Sequence, residues 1–179
     1  MKDRDFHLQP FSSPIALPNL RISGSIARCC DSFMLNYSMR GDLDELSIPD
    51  PANLPSRRNG LWLETCFELF MAVRHDPRYW EVNVSPAGHW NVYRFAAYRQ
   101  GMQEEEYFTE LPISAMKADD CLSLSLELDL TGIVSSDLSL DMGVSAVVKQ
   151  LDGATSYWAL KHAAAQPDFH HRESFVIQL

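Results

Sequence analysis

The stretch CLSLSLELDL, residues 121–130, decides the fold class. Leucine occupies positions 122, 124, 126, 128 and 130, and Ser123, Ser125, Glu127 and Asp129 stand between. A helix would scatter those five leucines around its circumference, whereas a strand sets all of them on one face. The segment therefore reads as a strand with one wet face and one buried face. The same period of two recurs on both sides of it. In Trp80 to Ser85, Trp80, Val82 and Val84 alternate with Glu81, Asn83 and Ser85. In Leu61 to Met71, Leu63, Thr65, Phe67 and Leu69 share one face and Trp62, Glu64, Cys66 and Glu68 the other.

Further strands are expected at Leu20 to Cys29, Ser32 to Met39, Trp90 to Tyr98, Ser139 to Leu151, Ser156 to Lys161 and Phe175 to Leu179. Turn-forming residues separate them: Cys30-Asp31, Pro86-Ala87-Gly88 and Asp152-Gly153. Roughly nine short strands divided in this way predict an all-β, mostly antiparallel sandwich, jelly-roll-like, formed by residues 1–179 as one domain. Helical periodicity is weak, and one short helix is expected near Ile113 to Ala118. The long connection from Gly41 to Gly60 carries three prolines and ends near Arg57-Arg58, and loops of that length tend to be functional.

Composition narrows the function classes. A net charge of −9 disfavours nucleic acid and anionic membrane as partners, since both need a basic face. No apolar run reaches membrane-spanning or signal-peptide length, which places the protein in the cytoplasm. The four cysteines lack CxxC spacing and read as buried, reduced thiols, not as a zinc or redox site. No G-x-S-x-G elbow and no phosphate-binding loop are present, so no catalytic residue and no cofactor are expected.

The faces of the two tryptophan-bearing strands carry the chemistry. If Phe67, Leu69, Val82 and Val84 enter the core, then Trp62, Glu64, Glu68, Glu81 and Asn83 gather on the opposite surface. Sugars bind to that mixture: their C–H faces stack on flat rings and their hydroxyls need directional donors and acceptors. The plainer reading makes these ordinary surface carboxylates with tryptophan covering the sheet. Glycoside hydrolysis fits poorly. Glu64 and Glu68, four residues apart on a strand, would stand roughly 13 Å apart, against the roughly 5 to 9.5 Å that catalytic pairs need. A cross-strand pair of Glu68 with Glu81 remains open. His162, Asp168, His170 and His171 raise a metal hypothesis, but their spacing matches no strong motif, and the favoured reading is a polar loop whose histidines bond the backbone.

The strings TCFELF (65–70) and YWEVNVSPAGHW (79–90), with Tyr93-Arg94-Phe95, Tyr98 to Met102, Tyr157-Trp158-Ala159-Leu160 and Pro167 to His170, resemble bacterial DOMON-like proteins, which are related to family 9 carbohydrate-binding modules. The resemblance runs from about Arg57 to the end. It implies a β-sandwich that binds a ligand without catalysis, either a carbohydrate or, in another branch of the superfamily, haem held by a methionine with a histidine or lysine. On the sugar-binding pattern Trp62, Glu68, Glu81, Asn83 and Trp158 are the expected contacts, with Glu64 and Trp90 beside them. For haem, Met71, Met102, Met142, His89 and His162 are present but match no known ligand positions. A third reading is an adaptor whose aromatic face docks a protein partner.

Overall fold

The computed structural model describes residues 2–12 and 19–179. Among the described residues thirteen strands follow one another: β1 (Lys2–His7), β2 (Gln9–Pro10), β3 (Leu20–Cys29), β4 (Ser32–Gly41), β5 (Cys66–Val73), β6 (Tyr79–Val84), β7 (Trp90–Phe95), β8 (Gln103–Glu104), β9 (Ile113–Lys117), β10 (Cys121–Asp129), β11 (Leu140–Lys149), β12 (Thr155–Ala159) and β13 (Ile177–Gln178). They build two antiparallel sheets. The first has the order β1-β3-β4-β10-β9. The second runs β2-β12-β11-β5-β6-β7-β8, with β13 also paired to β11.

The leucine stripe of β10 does what its period requires. Leu122, Leu124, Leu126 and Leu128 are all buried and meet Ile22, Ile26, Leu35 and Met39 of the same sheet in one core. The second sheet answers with Phe67, Leu69, Val82, Val84, Val92, Met142 and Val144. Burying one Leu side chain contributes about 1.5–3 kcal/mol, so this stripe is a large share of what holds the sheets together. Two turns follow their sequence signals. Gly88 closes the β6–β7 connection at φ 85°, with its N–H donating to Ser85 O at 2.8 Å. Gly153 does the same between β11 and β12 at φ 90°.

Three expectations are corrected and one unforeseen strand is added. Ile113 to Ala118 is not a helix but strand β9, paired with β10; Ile113 and Ala115 pack on the core while Met116 is exposed, which is period two. Leu61 to Met71 is not one continuous strand. Gly60 takes a left-handed φ of 74°, Leu61–Leu63 forms a single 3-10 turn, and the strand starts only at Cys66. Lys2–His7, whose mixed charges hide it, forms an edge strand with Phe6 alone buried among its described side chains. The cysteines are not uniformly buried: Cys66 is, Cys121 is half-buried, and Cys29 and Cys30 stand exposed at the β3–β4 turn.

The loop from Gly41 to Gly60 is pinned by Arg57. Its guanidinium donates to Asn91 Oδ1 at 2.6 Å, to Glu105 O at 3.0 Å and to Phe108 O, and lies 4.4 Å from the Trp90 ring centre. Backbone bonds between Arg58 N and Trp90 O and between Trp90 N and Ser56 O finish the attachment. The loop's far end thus delivers Trp62 to a fixed place.

Candidate functional site

Because alternate residues of a strand face opposite ways, the second sheet has an outer face as well as a core face. Its register sets side chains in rows. Ser145, Glu68, Asn83 and Asn91 are consecutive partners across β11, β5, β6 and β7. The next row holds Phe70, Glu81 and Tyr93. Glu68 and Glu81 are therefore diagonal neighbours on adjacent strands, with backbones roughly 7–8 Å apart.

A cleft of about 440 Å³ opens over these rows. Glu68 and Glu81 belong to its floor, and Trp62, Phe95, Tyr157 and Phe169 to its walls. The volume lies within the roughly 300–1,000 Å³ usual for small-molecule sites. Beside it an apolar cluster of Phe70, Tyr79, Tyr93, Phe95 and Phe175 gives the outer face a second, smaller core. Trp62, 37% exposed, stands edge-on to Tyr93 with ring centres 5.8 Å apart.

The electrostatics of the floor are unusual. Glu68 is 3% exposed and Glu81 5%. Burial, reinforced by the neighbouring Glu81, pushes the Glu68 carboxyl well above the ordinary range, while a Ser145 hydroxyl donating at 3.3 Å opposes the rise. Burial lifts Glu81 to about 7, against the pull of Asn83 Nδ2, which donates to its Oε1 at 2.8 Å. His170 reaches in from the C-terminal loop, with Nε2 3.8 Å from Glu81 Oε2. This contact is not an ion pair at neutral pH. Burial, then the nearby Arg99 guanidinium, pushes the imidazole down to about 4, so the ring is uncharged. Its Nδ1 is bonded to Tyr79 OH at 2.8 Å. At the rim Arg99 Nη2 donates to Asp168 Oδ1 at 2.8 Å, and the Tyr98 hydroxyl donates to Asp168 Oδ2.

The expected site residues divide into three groups. Trp62, Glu68 and Glu81 line the cleft, and Asn83 lies in the floor beneath, fully buried, holding Glu81. Glu64 does not join them: the 3-10 turn breaks the alternation, and Glu64 instead pairs with Lys149 Nζ at 3.0 Å. Trp90 and Trp158 are corrected as ligand contacts. Both point inward, buried in the core between the sheets, because their outward-facing neighbours are Asn91 and Tyr157. Residues not singled out by the sequence reading complete the site: Phe95, Arg99, Val147, Tyr157 and Phe169. Phe95 and Tyr157 had a usable signal, since they sit in phase with Asn91 and out of phase with Trp158.

The histidine-rich loop also resolves. Among the described residues no group of three His, Cys, Asp or Glu side chains could hold a metal ion. His162 meets the Gln9 carbonyl at 2.9 Å and His171 accepts from Glu173 N, as a backbone-bonding loop would. His170 departs from that pattern by entering the cleft. Of the haem candidates, Met71 and Met142 lie in the core, His89 is bonded to Ser56, and Met102 lines the cleft.

No protein-family model matches the chain, and no curated protein matches its sequence. Solved structures do. A candidate carbohydrate-binding protein of Bacteroides uniformis superposes with a TM-score of 0.75 at 16% identity, over 97% of this chain and 84% of that one. A family 9 carbohydrate-binding module of Caldicellulosiruptor kristjanssonii, solved with glucose, superposes with a TM-score of 0.50 at 8% identity, over 84% of this chain and 71% of the module. The fold is that of a family 9 carbohydrate-binding module. The same module solved with cellotriose gives the same TM-score and identity, over 70% of its length. At these identities the likeness is one of architecture. The family 9-like sandwich therefore agrees with the resemblance carried by TCFELF and YWEVNVSPAGHW, and the chemistry of this chain must be read from its own cleft.

Proposed function

We propose that this family 9-like sandwich binds a small carbohydrate or sugar derivative in the cleft of its second sheet and does no chemistry on it. One observation carries the reading: a floor of carboxyl and amide groups lies directly beneath walls of flat rings, in a cleft open to solvent. A pyranose presents the complement, with hydroxyls that donate and accept around its edge and apolar C–H faces. The structural neighbours support it, since one is a carbohydrate-binding module solved with glucose and with cellotriose.

Glu68 and Glu81 are close enough to raise the hydrolytic alternative. Glycosidases, however, place their two carboxyls on either side of the scissile bond. These two rise from one face of one sheet and meet a ligand from the same side. The arrangement suits holding a polar edge, not cleaving across it.

Calorimetric titration with a panel of monosaccharides and short oligosaccharides, cellotriose included, tests the proposal. Saturable binding that weakens in Trp62→Ala supports it. A folded protein that binds no member of the panel would sink it. Release of reducing ends from any bound oligosaccharide would replace it with the hydrolytic reading.

A further inference from the structure

On the reading of the cleft as a sugar site, the polar groups of its floor specify which sugar. Three carboxyl groups gather there and at the rim: Glu68, Glu81 and Asp168. One guanidinium, Arg99, answers them, and it is committed to Asp168 at 2.8 Å. The nearest other base, His170, is a neutral imidazole bonded to Tyr79. Tyr79 and Tyr93 are uncharged phenols, each raised to about 12 mainly by burial.

Among the described residues no charged cation is in contact with Glu68 or Glu81; Arg99 favours the ionised form of Glu81 only from a distance. Glu68, more than nine-tenths buried and lining the cleft, accepts from Ser145 at Oε2 only; its Oε1 accepts from nothing among the described residues. Glu81 accepts from Asn83 at Oε1, while its Oε2 faces only His170 at 3.8 Å, beyond hydrogen-bond reach. Two oxygens, on cleft-lining side chains one diagonal apart, are therefore left without a donor among the described residues. Buried carboxylates are ordinarily paired with a cation or well hydrogen-bonded, because desolvation otherwise opposes their charge. A sugar hydroxyl brings one O–H donor and no charge. An ammonium group brings three N–H donors and one positive charge, and hydrogen bonds to charged partners are about twice as strong as neutral ones. Aromatic walls attract a cation as well as a C–H face.

We infer that the ligand of this cleft carries a protonated amine seated between Glu68 and Glu81, which makes it an amino sugar with its amine free. Neutral and N-acetylated sugars lack the charge. Binding draws both carboxyls to their ionised form, so protons held on the pair in the empty cleft pass to solvent.

The test is titration calorimetry at about pH 7 in two buffers of different ionisation enthalpy. The probes are glucosamine, galactosamine and mannosamine, each beside its N-acetylated and its neutral 2-hydroxyl counterpart. At least one free amine should bind about 10-fold or more tighter than both counterparts, with proton release seen for the amine alone. Glu81→Gln and Glu68→Gln should each reduce that advantage to within about 3-fold, since each removes half of the charge that the ammonium meets. Amines that bind no better than the neutral sugars would overturn the inference while leaving the sugar reading in place. An advantage that survives in both folded glutamine variants would also overturn it. Failure of every probe, with cellotriose failing too, would remove the sugar reading and this inference with it.

Discussion

Replacing Glu81 by glutamine should make the protein more stable, and only above acidic pH. Glu81 titrates near 4.5 when exposed and at about 7 in the fold, because burial opposes its charge. Between those two values the folded state holds more protons than the unfolded chain. The sign follows: the carboxyl contributes fully below about pH 4.5, and the contribution is lost as pH rises through about 7. A displacement of that size corresponds to about 3 kcal/mol at pH 8. Glutamine keeps the shape, and its carbonyl can still accept from Asn83 Nδ2, the bond that now measures 2.8 Å. It removes the charge, and with it part of what raises Glu68. His170 acts in the opposite direction. Its pKa falls from 6.5 to about 4, so it takes stability away as pH falls through that window. The wild-type profile is therefore flattened in weak acid, and the difference between variant and wild type is the quantity to measure. Thermal melts of both proteins from about pH 4 to 8 should show Tm values that coincide at the acid end and separate by roughly 5–10 °C at the alkaline end. A separation that does not change with pH, or a less stable variant at about pH 8, would refute the argument that the carboxyl is desolvated.

Trp62→Ala should weaken sugar binding by about 1–3 kcal/mol in the same calorimetry, while moving Tm by little, because the ring sits on a turn outside the core. Trp90→Ala and Trp158→Ala should do the reverse, each costing about 3–5 kcal/mol in denaturant unfolding, since both fill the space between the sheets. Arg57→Ala should lower stability by about 2–4 kcal/mol and weaken sugar binding in proportion to how far Trp62 is released; unchanged binding in a folded variant would separate the loop anchor from the site.

Much of the fold was legible because its signal is strictly local. The β10 leucine stripe needs only a period of two, and the turns at Gly88 and Gly153 need only their residue types. Glu68, Glu81 and Asn83 could be grouped because each stands between two apolar residues of its own strand. What failed was wherever alternation stopped or its phase was ambiguous. Nothing local says that Leu61–Leu63 coils, yet that turn separates Glu64 from the cleft and swings Trp62 over it. Tyr157-Trp158 offers two large aromatic residues in succession, and only the pairing of β12 with β11 settles which one faces outward. Arg99, Phe169 and His170 come from loops that the sheet brings together, and no pattern along the chain links residues some seventy positions apart.

The floor of the cleft and the core of the sandwich are opposite faces of the same strands, and this constrains how the site can change. Any insertion or deletion of one residue in β5 or β6 would exchange the two faces from that point, sending Glu68 or Glu81 into the apolar layer and a leucine or valine into the cleft. Selectivity at the floor can therefore drift only by substitution in place. The loops bearing Trp62 and Phe169 are free of that coupling and can lengthen or shorten, so related chains should differ most in the walls and least in the spacing of the floor.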